Sequence, residues 1–130
     1  MAAEPIATWH RAVKTRDSSL LPGILAEDVV FYSPVVHTPQ IGRNITIKYL
    51  AAALHVLVGP TWRYVGECTS GRMAALEFET ELDGIVINGV DLIRWNNVDL
   101  ITEFKVMVRP LQAVNHLHQL MGRQLMRSSG

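Results

Sequence analysis

The chain has one cysteine, no excess of either charge and no apolar run long enough to cross a bilayer. The lone Cys68 cannot close an internal disulfide or supply the thiolate sets of zinc ribbons and iron–sulfur clusters, which fits a reducing, cytoplasmic compartment. Twelve Lys and Arg cancel twelve Asp and Glu, so the field that attracts a phosphate backbone is missing and nucleic acid is not an expected partner. The most apolar stretch, 49–58, is broken by His55 and stopped by Gly59-Pro60, short of the roughly 20 residues that a membrane span needs. The opening MAAEPIATWHRAVK carries Glu4 where a secretory signal carries basic residues, so neither export nor a membrane partner is expected. Glycine-rich phosphate loops and serine nucleophile elbows are lacking too. His116 and His118 stand two apart on a predicted helix, which points them to different faces, so no metal site is expected.

What is present is grease: 48% of 130 residues are apolar, enough for one core, and no repeat or linker divides the chain, which reads as a single domain over 1–130. Ile6, Ala7, Trp9, Ala12 and Val13 recur at helical spacing behind Pro5 and predict a first helix over 4–13. Asp17-Ser18-Ser19 offers a cap for a short second helix through Leu20, Leu21, Ile24 and Leu25. The β-branched and aromatic run 28–33 stops at Pro34 as a strand would, and 35–42 is a loop containing His37. A third helix spans 44–58 and ends at Gly59-Pro60. Four strand-like runs follow, at 62–69, 72–82, 85–95 and 98–108, separated by the turn pairs Ser70-Gly71, Asp83-Gly84 and Asn96-Asn97. Pro110 opens a last helix with Ala113, Val114, Leu117, Leu120, Met121 and Leu125 on one stripe. Helices grouped before an antiparallel meander define an α+β domain whose sheet must cover one face with those helices.

Two-residue hairpins fix register, because the residues flanking each turn face one another. Leu82 then faces Ile85, Thr69 faces Arg72 and Trp95 faces Val98. Propagated, these pairs put Leu76, Phe78, Ile87, Gly89, Ile93, Leu100, Thr102 and Phe104 on one nearly apolar face, joined from the first strand by Arg63, Val65 and Glu67. Asp91 is the acid on that face in the three longest strands, opposite Leu76 and Thr102. Burial raises the pKa of such an acid and favours its neutral, proton-donating form. It is either a satisfied core carboxyl or a group aimed into a cavity, and Gly89 beside it fits a cavity or a bulge. The opposite face mixes Glu77, Glu79, Glu81, Arg94, Glu103, Lys105 and Arg109 with Met73, Val86, Val90, Leu92, Ile101 and Met107. Trp62, Tyr64 and Cys68 fall on that same side. Its apolar members predict a homodimer through the sheet, the alternative being scattered surface residues or cover by the last helix.

The segment FYSPVVHTPQIGRNITIKYL, the meander GVDLIRWNNVDLITEF and the closing VMVRPLQAVNHLHQLMG resemble the nuclear transport factor 2-like superfamily, in its SnoaL-like and ketosteroid isomerase-like branch. The resemblance implies a cone-shaped (cystatin-like) α+β fold, with a curved antiparallel sheet wrapped around N-terminal helices, a C-terminal helix, and an apolar pocket between them. It places Trp9, Phe31 and Ser33 in that pocket with Leu76, Phe78, Ile87 and Gly89. Ile93, Thr102 and Phe104 complete the expected lining, and no cofactor is implied. In ketosteroid isomerase a base aspartate precedes a proline at the end of the first strand, and a first-helix tyrosine and a late-strand aspartate donate to the substrate oxygen. Asp91 matches the late-strand aspartate, but Ser33 stands before Pro34 and the tyrosine position falls on Trp9, or on His10 if the register slips by one. Serine has no usable basicity near neutral pH and indole does not replace a phenol, so steroid isomerisation by that mechanism is disfavoured. An imidazole is the side chain suited to proton transfer near neutral pH, so His37, four residues past Ser33, is the candidate base to pair with Asp91. Two readings follow: an acid/base isomerase, cyclase or hydrolase acting on a small apolar carbonyl or epoxide compound, or a non-catalytic module that binds an apolar ligand or dimerises.

Overall fold

The structure, a computed structural model, describes residues 4–129. The 12-residue helix α1 (Glu4–Thr15) turns Ile6, Trp9, Ala12 and Val13 inward, as its periodicity predicts. The expected second helix is a single 3₁₀ turn, Ser18–Leu20. Asp17 does cap it, with Oδ1 accepting from the Ser19 amide at 3.0 Å, but Pro22 and Gly23 prevent extension, and Leu25 already belongs to the first strand. That strand, β1 (Leu25–Tyr32), starts three residues earlier than the β-branched run suggests. The loop behind it contains a two-residue strand, β2 (Gln40–Ile41), and Gly42 at φ 115° leads into α2 (Arg43–Leu57).

The second half is the predicted meander of β3 (Arg63–Ser70), β4 (Met73–Leu82), β5 (Ile85–Trp95) and β6 (Ile101–Arg109), followed by α3 (Leu111–Ser129). The strand order is β2-β1-β6-β5-β4-β3, with β1 parallel to β6 and every other pair antiparallel. Asp83 and Gly84, both at positive φ, make the tight β4–β5 turn, and Leu82 pairs with Ile85 and Leu76 with Asp91 as the sequence predicts.

The other two hairpins differ. Asn96-Asn97 is not a two-residue turn: Asn96 Oδ1 accepts from the Val98 and Leu100 amides at 3.0 Å, Asp99 takes positive φ, and β6 begins only at Ile101. Asp91 therefore pairs with Val106 instead of Thr102. The slip is an even number of residues, so Asp91 keeps its face. A register shift between Arg94 and Trp95 seats Ile101 opposite Trp95, which buries Ile101 instead of leaving it on the mixed face. The β3–β4 turn uses Gly71 and Arg72, and a bulge between Tyr64 and Gly66 then reverses the alternation of β3. Arg63 is thereby turned outward to pair with Glu79, and Trp62 and Tyr64 turn inward. Both of those changes reverse the sides expected from unbroken alternation.

The concave face of the sheet is covered by the helices. One core cluster joins α1 and β1 to Ala74, Leu76, Ile93 and Phe104. A second lies under α3, with Phe78 and Ile87 against Ala113, Leu117 and Met121.

Candidate functional site

Between these clusters lies an apolar cavity of about 60 Å³. β5 delivers Asp91 to its wall; α1 contributes Trp9 and Val13, and the end of β1 with the following loop contributes Phe31, Ser33, Pro34 and Val35. The meander adds Trp62, Phe78, Phe104 and Val106. The remaining wall comes from α2, through Tyr49, Leu50, Ala53, Leu54 and Leu57, and from α3, through Leu117 and Met121. Six of the chain's nine aromatic residues therefore meet this cavity. Trp62 stacks on Phe78 with centroids 4.6 Å apart, and Trp9 meets Phe104 edge-on at 4.9 Å.

Asp91 is the sole ionisable carboxyl of the lining and is 4% exposed. Burial raises its pKa from the ordinary 3.8 to about 7, against a smaller lowering by Tyr64. Tyr64 Oη donates to Asp91 Oδ2 at 2.9 Å and accepts from Trp9 Nε1 at 2.9 Å. Burial, and then the Asp91 charge, hold the phenol well above its usual range, so Tyr64 is a donor and not a base. Trp9 thus sits where the resemblance expects a tyrosine, and its indole N–H is directed to another side chain. Tyr64 is the residue that regular alternation misses. Gly66, two positions on, is the one hint in the sequence of the bulge that turns it inward.

Of the expected lining, Trp9, Phe31, Ser33, Phe78 and Phe104 meet the cavity with Asp91. Leu76, Ile87 and Ile93 are fully buried in the two clusters beside it. Thr102 lies away from it, its hydroxyl donating to the Arg94 carbonyl at 3.4 Å. Gly89 does not open space there either: the Phe78 ring occupies the volume that a β-carbon would need. Ser33 Oγ is engaged by the Val35 amide at 3.1 Å in a local turn. His37 lines an adjoining surface hollow with Tyr32, Pro39 and Lys105, on the far side of Ser33, Pro34 and Val106, and is not part of the cavity wall that contains Asp91. His10 pairs with Glu67 at 2.7 Å and His116 with Asp83 at 2.8 Å; among the described residues no three metal-ligating side chains converge. No helix among them is long and apolar enough to cross a membrane.

A curved, open six-stranded sheet folded over N-terminal helices and followed by a C-terminal helix is the architecture of cystatin-like and ketosteroid isomerase-like proteins. The chain belongs to the nuclear transport factor 2-like superfamily. It is similar to a steroid Δ-isomerase from Pseudomonas aeruginosa, at 34% identity over 95% of this chain and 90% of that one, with a TM-score of 0.90. A protein with a cystatin-like fold from Silicibacter pomeroyi is 32% identical over 95% and 86% of the two chains, with a TM-score of 0.87. A nuclear transport factor 2-like protein from Mesorhizobium loti shares the fold at 20% identity, 82% and 89% coverage and a TM-score of 0.72. No family model and no curated protein matches the chain.

Proposed function

We propose that the protein holds a small, largely apolar carbonyl or epoxide compound in this cavity and that Asp91, as the neutral acid, donates a proton to its oxygen. The observation that carries this reading is Asp91 itself: a carboxyl at the cavity wall, tethered by one phenol, whose pKa burial pushes up to about 7. A neutral acid in apolar surroundings stabilises developing negative charge on oxygen, and one with a pKa near the working pH is matched to proton transfer. In epoxide opening, the Asp91 proton passes to the ring oxygen as a C–O bond breaks and water adds at carbon. The proton released by that water restores the acid.

Cavity size limits the substrate. An apolar cavity of about 150 Å³ admits benzene, so the ~60 Å³ here suits a molecule smaller than one ring, or a five-membered ring that displaces the flexible Met121. The steroid named for the Pseudomonas relative is not proposed for this chain, because the position before Pro34 is a serine already bonded within its turn. The same feature favours a second reading, binding without turnover, because no base stands beside Asp91 in the lining.

Cyclopentanone and cyclopentene oxide are the test compounds. Both are expected to raise the melting temperature at pH 6, and NMR is expected to show the oxide converted to diol by the wild type but at least tenfold more slowly by Asp91→Asn. Equal turnover by the two proteins overturns the catalytic reading. Thermal shifts without conversion establish the binding one.

We also propose self-association through the convex face of the sheet, where Val90 and Met107 pair across β5 and β6, and Val86 and Met107 are 52% and 47% exposed. Around them Glu77 and Glu103 alternate with Arg94 and Arg109, giving both signs of charge for a two-fold contact. Sedimentation is expected to give a dimer for the wild type and a monomer for Met107→Glu; a monomeric wild type refutes it.

A further inference from the structure

We propose that the cavity also takes a small alkylammonium cation, with the Asp91 carboxylate as its counter-ion and the aromatic rings around it as its walls. The inference rests on the reading that ligands meet Asp91 in this cavity, and it concerns the other protonation state of the same group.

Charge is the first argument. The lining contains one acid and no lysine, arginine or histidine, so nothing in the wall offers a positive charge to an anion. The strongest nearby donors are already directed elsewhere: Trp9 Nε1 donates to Tyr64, and Tyr64 donates to Asp91. Two or three hydrogen bonds accepted by a carboxylate hold it in its ionised form, whereas Tyr64 supplies Asp91 with one. An ammonium N–H against the carboxyl supplies both the missing hydrogen bond and the missing charge.

The second argument is the composition of the wall. Trp9, Phe31, Tyr49, Trp62, Phe78 and Phe104 line a cavity of about 60 Å³, where aliphatic side chains alone fill space equally well. Aromatic rings differ from aliphatic groups in carrying a quadrupole that attracts a cation, most strongly where water is excluded. A carboxylate that shares an apolar cavity with six aromatic rings therefore discriminates between a cation and a neutral molecule of equal shape.

The surroundings of Asp91 make its charge the switch between the two ligand classes. Tyr64 from β3 is the titratable group against it, whereas Leu76 on β4, Val106 on β6 and Trp9 on α1 do not titrate. Beyond Tyr64 stand Glu67 and His10, which are hydrogen-bonded to each other at 2.7 Å. An alkylammonium ion therefore binds better as pH rises through the titration of Asp91, and a ketone binds better as pH falls through it.

Pyrrolidinium and cyclopentanone are nearly equal in shape and differ in charge. Titrated calorimetrically against the wild type, pyrrolidinium is expected to gain about tenfold in affinity from pH 5.5 to 6.5 and to level off by pH 8.5, while cyclopentanone weakens over the same range. At pH 8.5, Asp91→Asn, nearly isosteric and checked by circular dichroism, is expected to lose pyrrolidinium binding at least tenfold relative to the wild type and to bind cyclopentanone as well as the wild type does at pH 5.5. Pyrrolidinium binding that is absent, flat with pH in the wild type, or unchanged in Asp91→Asn overturns the inference. If pyrrolidinium fails and cyclopentanone binds, the cation falls and the carbonyl reading stands. Failure of both by folded protein removes the two together.

Discussion

Asp91→Asn is expected to be more stable than the wild type at pH 8.5 and to lose that advantage by pH 4. An unfolded chain ionises Asp91 near 3.8, whereas the folded chain holds its proton up to about 7. Between those values the folded state binds a proton that the unfolded state has released, so stability falls as pH rises. The stabilisation linked to this proton is complete below pH 3.8 and gone once pH has passed through about 7. A gap of about three pH units, at about 1.4 kcal/mol each, makes the swing on the order of 4 kcal/mol. Asparagine mimics the neutral acid at every pH and removes the swing. All other carboxyls titrate in both proteins and cancel in the comparison. Urea unfolding at pH 4, 6 and 8.5 measures it, and parallel stability profiles for the two proteins would exclude a buried, proton-holding Asp91. Tyr64→Phe provides the second arm. It removes the hydrogen bond that lowers the Asp91 pKa, so the transition moves to higher pH, and the orphaned Trp9 N–H costs about 1–3 kcal/mol.

A substitution of Asp91 by an apolar residue removes such a stability cost at neutral pH, and the presence of the acid despite that cost supports the proposal that it serves a ligand. Asp91 is identifiable from hairpin parity because Asp83-Gly84 forms the tight turn its residues favour, and because β6 slips by an even number of residues where it pairs with Asp91. Local turn chemistry at Asn96 alters which residue faces Asp91 without altering its side of the sheet. A bulge is different: one extra residue near Val65 reverses everything N-terminal to it, and Tyr64, the hydrogen-bond partner of Asp91, is lost to sequence reasoning in that step. The contributions of Tyr49, Leu54, Leu117 and Met121 were illegible for another reason. Helical periodicity says which stripe is apolar, but not which part of the stripe packs against protein and which borders empty space. The 3₁₀ turn shows the reverse case, in which a correct cap at Asp17 precedes a segment that Pro22 and Gly23 keep from propagating.

Gly89→Ala is expected to destabilise the fold by about 3 kcal/mol, at the upper end of ordinary overpacking. A β-carbon at Gly89 comes within 2.4 Å of Phe78 Cζ and 2.7 Å of the Met107 carbonyl oxygen. The two obstacles differ in what can yield. Phe78 is fully buried and stacked on Trp62, so its ring has to move toward the cavity it already lines. The Met107 carbonyl belongs to β6, whose pairing with β5 runs through Gly89 and Val108, so it moves only if the ladder opens. Phe78→Leu tests the division: alone it loses core packing, but in combination with Gly89→Ala it removes the ring from the clash. The double variant is therefore expected to be more stable than the sum of the single effects by about 1 kcal/mol or more, with the remaining deficit due to the carbonyl. Additive losses in urea unfolding would place the whole cost on the Met107 backbone. A neutral Gly89→Ala would mean that the strand pair relaxes freely. In Gly89→Ala itself the displaced ring narrows the cavity, so cyclopentanone is expected to bind more weakly even under conditions where the variant is fully folded. Gly89, which does not line the cavity, thus sets the position of the Phe78 ring that does.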